Sequence, residues 1–487
     1  MPATTASQRR RMPMMATRPI QMKALVVSVW AVYQVLIFWN IVGLFPAKIP
    51  RFLDNYRFFV KIAQLSPRTM GTLLLKGIQL NGRKADILVE GNRIVRIAET
   101  LDSTADRVID GSGKAVIPGL INMHTHSAMT LLRSCYEDQP LKDWLERVWA
   151  VEARLDEEAI YWGAKLAILE MLKTGTTCFL DMYWQTPALA RAAEEMGIRA
   201  FISYNFLDNF DHEKAEKQYR ECEEIYAMSR DWPERVQFCV AVHADYTTSE
   251  ATMLRSGMFA HDHGLVFTAH LAETLSETQE DIVRTGMTPA QHFHRLGLLG
   301  PQTVLAHGLW LDDHDVEILG QSHTTIVHNI NSNLKLASGY RFKYQELREA
   351  GANICMGTDG AASSNNLDIR ESMKTMALLQ KAWREDPSAM PLDELMDIAT
   401  VNAARALRID AGRVEEGALA DLVLVDTRSE AFIPSANFIG NLILSANSSC
   451  FDTVIVDGRV VMENRRVLGE EEILERAEAI ARKINNV

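Results

Sequence analysis

The sequence predicts an α/β protein: a (β/α)8 TIM-type barrel with a small β-sandwich domain and an N-terminal extension. Three observations predict this architecture. Short apolar strand patterns alternate with helical patterns through residues 116–411, which indicates a parallel sheet. Eight such strands can be counted from Val116, enough to close a barrel of about 250 residues or more. Strand-rich stretches at 70–115 and 412–470 flank this region, and we expect both to contribute to the small domain.

Length and charge limit the possible functions. A chain of 487 residues can hold one large domain and a smaller one. The formal net charge is −12 and no long basic run follows residue 70, which argues against nucleic acid as the main partner. The six cysteines include no CxxC pair. They are therefore typical of reduced, mostly buried thiols in a cytoplasmic protein.

Residues 1–69 form an extension whose composition differs from the rest. Its segment 24–47 contains no charged residue and is as long as the ~20 residues that span a bilayer. A membrane anchor, a signal peptide and an upstream start that is not part of the folded protein all fit this segment. Basic residues on both sides give no clear orientation. We favour a cytoplasmic body that starts near Met70, with a membrane-anchored form as the alternative.

The small domain is predicted from both ends of the remaining chain. Residues 72–97 are strand-like and are punctuated by turns at Asn81-Gly82 and Gly91-Asn92, and 107–111 continue the pattern. Strand-like sequence returns at 420–426 and 452–461, and we expect 471–487 to form a C-terminal helix. Within the barrel, the sequence predicts helices at 157–173 and 186–196, each followed by a strand.

The first barrel strand leads to His124-Thr125-His126. Residues two apart on an extended chain share a face, so both imidazoles can point to one place. Two ordinary histidines at a strand end are the alternative to a metal site. Histidine or aspartate also ends five later strands, where barrel chemistry is located, at His243, His270, His307, His328 and Asp359.

Three histidines and one aspartate would leave room for water on a zinc-type ion. Such an ion lowers the pKa of the water towards ~7. Asp359 is suited to take the water proton, since a carboxylate beside the metal can accept it. Glu273 follows His270 by three residues, close enough to pass a proton to a substrate. A solvated glutamate at a helix N-terminus is the alternative interpretation of Glu273.

Six segments together are similar to one known family. They are PGLINMHTH, HLAET, VLAHGLWL, SNLKLASG, MGTDGAASSNNLD and GALADLVLVD. They resemble the amidohydrolase superfamily, in its cyclic-amidine deaminase branch, over about residues 70–485. The resemblance implies one Zn²⁺ per subunit, with Fe²⁺ as an alternative. It implies His124, His126, His270 and Asp359 as the ligands.

The resemblance also implies roles for the remaining site residues. Asp359 would activate the water, Glu273 would protonate the ring nitrogen beside the reacting carbon, and His307 would steady the tetrahedral centre. His243 would contact the substrate, and Glu152 would hold ribose hydroxyls unless it is a surface helix residue.

Two positions depart from the pattern of the family. Asn205 falls near a position where many relatives have arginine, so the choice of substrate can differ here. Ile330 replaces the proline that usually follows the motif beginning at His328, which leaves the role of His328 open.

The resemblance implies hydrolytic deamination of 5′-modified adenosines such as methylthioadenosine and S-adenosylhomocysteine, and of adenosine itself. The products would be ammonia and the inosine analogue. A hydrolase of guanine, a pterin or a chlorinated triazine is the first alternative, and a non-catalytic scaffold is the second. The expected partner is a small nucleoside, with membrane contact only through 24–47, and the family resemblance implies a homo-oligomer.

Overall fold

Two sheets organise the residues that the computed structural model describes, namely 71–139 and 141–485. The predicted extension 1–69, with its apolar segment 24–47, lies outside the described residues. Within the described ranges, no helix combines the length and apolar character needed to cross a bilayer.

The smaller sheet begins at the N-terminal end of the described chain. Its first two strands form an antiparallel hairpin in which Leu75 pairs with Ile87. The turn is made by Asn81 and Gly82, whose φ values of 49° and 75° suit a tight hairpin. The first strands are β1 (Thr72–Leu80), β2 (Arg83–Glu90), β3 (Arg93–Ala98), β4 (Arg107–Asp110) and β5 (Lys114–Pro118).

The larger sheet is the barrel, with eight strands that pair in chain order. They are β6 (Leu120–Thr125), β7 (Thr176–Tyr183), β8 (Arg199–Phe206), β9 (Val236–Val242), β10 (Phe267–Leu271), β11 (Thr303–His307), β12 (Thr325–His328) and β13 (Asn353–Met356). The ring is completed where the amides of Thr358 and Asp359 donate to the His124 carbonyl oxygen, at 3.1 and 3.0 Å. The predicted barrel is thereby confirmed.

Helices follow most of the barrel strands and cover the outside of the barrel. The predicted helices 157–173 and 186–196 are confirmed with those bounds, the first capped by Asp156, whose side chain accepts from the Ala159 amide. The helices before the last sheet strands are α1 (Leu141–Glu152), α2 (Glu157–Lys173), α3 (Thr186–Met196), α4 (His212–Ser229), α5 (Glu250–Asp262), α6 (Leu275–Thr285), α7 (Pro289–Arg295), α8 (Asp313–Gln321), α9 (Ile330–Lys335), α10 (Tyr344–Ala350), α11 (Ala361–Ser364), α12 (Ile369–Arg384), α13 (Leu392–Ala399) and α14 (Val401–Leu407).

The C-terminal strands return to the smaller sheet. There, β14 runs antiparallel to β5, with Leu424 opposite Val116, so both ends of the chain build one sheet. The remaining elements are β14 (Leu422–Asp426), α15 (Phe438–Gly440), β15 (Phe451–Val456), β16 (Arg459–Glu463), β17 (Arg466–Val467) and α16 (Glu470–Asn485).

One strand boundary differs from the expectation. The sequence analysis counted the first barrel strand from Val116, whereas the structure places Lys114–Pro118 in the smaller sheet and begins the barrel at Leu120. Pro118 has no amide to continue the pairing. The Gly119 amide instead donates to the Asp421 carbonyl oxygen at 2.9 Å, which marks the change of sheet.

A buried ion pair joins the barrel to the smaller sheet. Arg199, at the start of β8, donates from Nε and Nη2 to the carboxylate of Asp421 at 2.7 and 3.1 Å. Nη2 also lies 3.1 Å from the carboxylate of Asp457. The side chains of Arg199 and Asp421 are only 4% and 2% exposed, so this contact anchors the base of the barrel away from the cavity.

Candidate active site

A cluster of imidazoles and one carboxylate lies at the carboxyl ends of the barrel strands. Ligand atoms of His124, His126 and Asp359 lie within 4.8 Å of one another, as do those of His124, His270 and His307. Nε2 of His126 is 3.2 Å from Oδ1 of Asp359 and 3.3 Å from Nε2 of His270. Ligands that share one zinc ion in a tetrahedral site are separated by about 3.4 Å. These distances therefore fit a single zinc-type ion.

Hydrogen bonds behind the cluster fix which nitrogen of each ring faces its centre. Nδ1 of His126 donates to the Met182 carbonyl oxygen at 2.6 Å, and Nδ1 of His270 donates to the His243 carbonyl oxygen at 2.7 Å. Each bond leaves the Nε2 lone pair free to bind a metal. Both ring nitrogens of His124 are buried and have no hydrogen-bond partner among the described residues. Since buried polar atoms normally have partners, this imidazole also fits a metal ligand.

Asp359 supplies the negative charge of the cluster. Its Oδ2 accepts a hydrogen bond from the Ser332 hydroxyl at 2.6 Å, and its Oδ1 accepts one from the Gly360 amide at 2.8 Å. Burial would raise the pKa of Asp359, but His124 and His126 hold it well below its usual range. Burial likewise lowers the pKa of His126, yet Asp359 outweighs that effect and raises it to about 9. The pair therefore attracts a positive charge, and a divalent ion can replace the proton.

Glu273 and His307 lie in the same cavity beside this cluster. Oε1 of Glu273 accepts from the Ser338 hydroxyl at 3.3 Å, and Oε2 is 3.7 Å from Nε2 of His307. Burial, followed by the charge of Asp359, raises the pKa of Glu273 to about 8, which favours the protonated form of this carboxyl group. The Asn333 amide donates to Nδ1 of His307 at 2.9 Å, which leaves Nε2–H of His307 as a donor.

Glu152, at the end of α1, contributes a third carboxyl group to the cavity wall. The Tyr183 hydroxyl, at the end of β7, donates to its Oε1 at 2.5 Å. Oε2 is buried without a partner among the described residues, and Glu152 is only 6% exposed. Burial raises the pKa of this carboxyl to about 7. The structure thus places Glu152 inside the cavity wall and not on the surface of the protein.

His243 and Asn205 line the cavity next to Glu152. The Thr247 hydroxyl donates to the Ala244 carbonyl oxygen at 3.2 Å and therefore accepts from Nδ1 of His243, at 2.8 Å. Nε2 of His243 remains as an acceptor. Asn205 is 7% exposed, and its Oδ1 has no partner among the described residues. Both side chains can therefore accept hydrogen bonds from a bound molecule.

His328 lies apart from this cavity wall. Its ring stacks on Phe342 with centroids 4.1 Å apart, and both its nitrogens are buried without partners among the described residues. The sequence analysis missed Trp149, Trp184 and Tyr246, which also line the cavity. Trp184 and Tyr246 follow strand ends, as the site histidines do, so the same rule could have found them.

Comparison with known proteins places these observations in a family. Residues 115–461 match the amidohydrolase family. The chain is 42% identical over 410 residues to the 5′-deoxyadenosine deaminase of Methanothermobacter thermautotrophicus, an alignment covering 82% of this chain and 95% of that relative. It is 43% identical over 392 residues to the 5-methylthioadenosine/S-adenosylhomocysteine deaminase of Thermococcus sibiricus, covering 80% of this chain and 92% of the relative.

A solved structure agrees with both relatives. The zinc-bound adenosine deaminase from Xanthomonas campestris superposes with a TM-score of 0.81 at 29% identity, covering 85% of this chain and 99% of that one. The family resemblance drawn from the six sequence segments is thereby confirmed. With its barrel, its histidine and aspartate cluster and this match over most of its length, the chain belongs to the amidohydrolase family.

Proposed function

We propose that this amidohydrolase deaminates 5′-modified adenosines by hydrolysis, releasing ammonia and the inosine analogue. One observation carries the proposal. A single cavity contains a metal-binding cluster, a buried glutamate with a raised pKa beside it, and a further buried carboxyl group with one oxygen that has no described partner. The first two suit attack of water on an aminated ring, and the third suits the hydroxyls of a ribose. Relatives named as deaminases of 5′-deoxyadenosine and of methylthioadenosine support the same substrate class.

The proposed metal ligands are Nε2 of His126 and His270, a ring nitrogen of His124, and a carboxylate oxygen of Asp359. We propose one Zn²⁺ per subunit, and Fe²⁺ accepts the same nitrogen and oxygen donors. When bound, such an ion lowers the pKa of water and stabilises negative charge on oxygen. The orphaned ring of His124 and the charge of Asp359 support this donor set.

The protein side chains can account for the proton transfers. Asp359 takes a proton from the attacking water, whose oxygen bonds to the carbon that carries the exocyclic amine. Glu273 donates its proton from Oε2 to the adjacent ring nitrogen, because Oε1 is already held by Ser338. Nε2–H of His307 donates to the oxygen on the tetrahedral carbon. Asp359 then gives its proton to the amine, and the carbon–nitrogen bond breaks to release ammonia. The hydroxyl on the same carbon loses its proton to Glu273, so that the carbonyl of the inosine analogue forms and both carboxyl groups regain their starting states.

Recognition of the nucleoside is assigned to the other side of the cavity. Glu152 accepts a hydrogen bond from a ribose hydroxyl through its free Oε2, since Tyr183 occupies Oε1. Nε2 of His243 and the side chain of Asn205 provide further polar contacts. These groups bind ground state and transition state alike, so they set KM more than kcat.

Ammonia release from the full chain loaded with zinc tests the proposal. Methylthioadenosine, 5′-deoxyadenosine, S-adenosylhomocysteine and adenosine are the substrates, with guanine and a chlorinated triazine as comparison compounds. We expect turnover of at least one 5′-modified adenosine, and loss of it in Glu273→Gln with metal content unchanged. Turnover of guanine or the triazine alone would contradict the proposal and favour another heterocycle.

We further propose a cytoplasmic homo-oligomer. The family resemblance supports the assembly, and the reduced-cysteine pattern supports the location. Light scattering of the full chain measures the assembly. Fractionation of cells that express the full chain and the chain from Met70 tests whether segment 24–47 changes the location.

A further inference from the structure

The residues assigned to proton transfer and those assigned to nucleoside binding lie at the ends of different barrel strands. Among the groups assigned to proton transfer, Glu273 follows β10, His307 ends β11 and Asp359 follows β13. The groups assigned to the nucleoside occur along the arc formed by the ends of β7, β8 and β9, where Tyr183 holds Glu152. If the amine carbon of the substrate lies at the metal cluster, its ribose and 5′ substituent therefore extend along this second arc.

Aromatic side chains lie among the nucleoside-binding groups of this second arc, which we call the recognition arc. Trp184 packs on Tyr183 with ring centroids 5.0 Å apart, and Trp149 and Tyr246 lie 6.1 and 6.0 Å from the ring of His243. None of the described residues that line the cavity is a lysine or an arginine.

The geometry of α1 places an aromatic surface beside the ribose site. Trp149 precedes Glu152 by three residues, so the two side chains share a helix face and are separated by about 4.5 Å along the axis. Both side chains line the cavity, and Trp149 is 36% exposed whereas Glu152 is 6% exposed. A substituent on the 5′ carbon of a ribose held by Glu152 would therefore lie within reach of the indole ring.

We expect the residues that line the cavity to bind some 5′ substituents better than others. A methylthio or alkyl group gains contact with aromatic rings, including the favourable sulfur–aromatic contact. The homocysteine tail ends in an ammonium group and a carboxylate. The ammonium group can pair with Glu152, but no described cation in the cavity wall can pair with the carboxylate of the tail. A desolvated charge without a partner is costly.

We propose that the cavity selects adenosines with an uncharged, apolar 5′ substituent over adenosines whose 5′ tail carries a carboxylate. The inference rests on the proposed function and names the substrate class within it. Methylthioadenosine and 5′-deoxyadenosine belong to the favoured class, and S-adenosylhomocysteine belongs to the disfavoured class.

A pair of substrates matched in length isolates the effect of charge. 5′-Butylthioadenosine has the chain length of the homocysteine tail without its carboxylate and ammonium groups. We expect the zinc-loaded full chain to give a kcat/KM for the butylthio compound about tenfold or more above that for S-adenosylhomocysteine. It should also be comparable to that for methylthioadenosine.

Other outcomes overturn the inference in recognisable ways. A ratio below tenfold between the two long substrates would overturn the charge argument. Poor turnover of both, with good turnover of methylthioadenosine, would show a limit of length and would also overturn it. Failure of every adenosine would instead overturn the proposed function.

A second test introduces a positive charge into the cavity wall. Asn205→Lys should raise the kcat/KM for S-adenosylhomocysteine relative to butylthioadenosine by about tenfold, compared with the neutral control Asn205→Gln. Since Asn205 is buried, Trp149→Lys at the more exposed wall provides a second position if the first variant does not fold. An unchanged ratio in a folded lysine variant would contradict the proposal.

Discussion

Removal of the Tyr183 hydroxyl group tests whether its hydrogen bond keeps Glu152 ionised for binding ribose. In Tyr183→Phe, Oε1 of Glu152 loses the 2.5 Å hydrogen bond that stabilises its charged form. A hydrogen bond to a charged group contributes about 1.5–3 kcal/mol, which corresponds to about tenfold or more in an equilibrium constant. Burial already raises the pKa of Glu152 to about 7, so the variant carries a protonated Glu152 over most of the neutral range.

The expected result is a change in KM and not in kcat. A protonated Glu152 is a weaker acceptor for a ribose hydroxyl, so KM for methylthioadenosine should rise about tenfold at pH 7. The wild-type KM should rise as pH falls through about 7, because the carboxylate is then lost. In Tyr183→Phe the same rise should begin at higher pH, since the hydrogen bond that lowered the pKa is gone.

Tyr204→Phe is the matched control for this experiment. Tyr204, on β8, donates to Glu221 at 2.9 Å and does not belong to the described cavity wall. Steady-state ammonia release between pH 6 and 9 supplies kcat and KM for the wild type and both variants. A fall in kcat with unchanged KM in Tyr183→Phe, or an equal rise of KM in Tyr204→Phe, would refute the role given to Glu152.

Three further substitutions test the rest of the site and its support. Glu273→Gln should lower kcat by about 10²–10⁴ while bound zinc, measured by mass spectrometry, stays constant, and near-wild-type kcat would exclude Glu273 as the proton donor. His270→Ala should lose zinc along with activity, whereas full occupancy would remove His270 from the ligand set. Asp421→Ala should lower the free energy of unfolding by about 3 kcal/mol in denaturant titration, because it leaves Arg199 buried with less of its charge paired, and an unchanged midpoint would contradict that reasoning.

The sequence predicts the members of the site because barrel chemistry follows a positional rule. Side chains at the carboxyl ends of parallel strands meet at one face, so polar residues that end apolar runs can be picked out before any contact is known. His126, His270 and Asp359 were identified in this way, and the structure brings them together. Glu273 was found through its three-residue distance from His270.

This positional rule does not predict the hydrogen bonds that orient the site side chains. Nδ1 of His126 is fixed by Met182, 56 residues later in the chain, and Nδ1 of His307 by Asn333. Periodicity reports which face a residue occupies, but it does not report which distant group will meet it. The boundary at Pro118 was missed for a related reason, since a strand that changes sheets keeps its apolar pattern across the change.

Backbone conformation at the strand ends shows the same dependence on distant contacts. Ala272, His307 and Asp359 have φ values of 46°, 76° and 62°, in the left-handed region that residues other than glycine seldom adopt. Such a conformation costs on the order of 1–3 kcal/mol per residue and persists only where neighbours hold it. Glu277 of α6 accepts from the Ala272 amide at 3.1 Å, and α9 supplies Asn333 to His307 and Ser332 to Asp359.

These two helices therefore hold the chain at the points where it turns to direct the site residues into the cavity. Asp359 shows the effect most directly, because its amide closes the barrel on His124 while its carboxylate accepts from Ser332 and faces His126. The left-handed conformation of Asp359 thus occurs at a residue that both completes the barrel and faces the metal cluster. Both contacts join Asp359 to residues far away in the chain, so no local sequence pattern predicts this conformation.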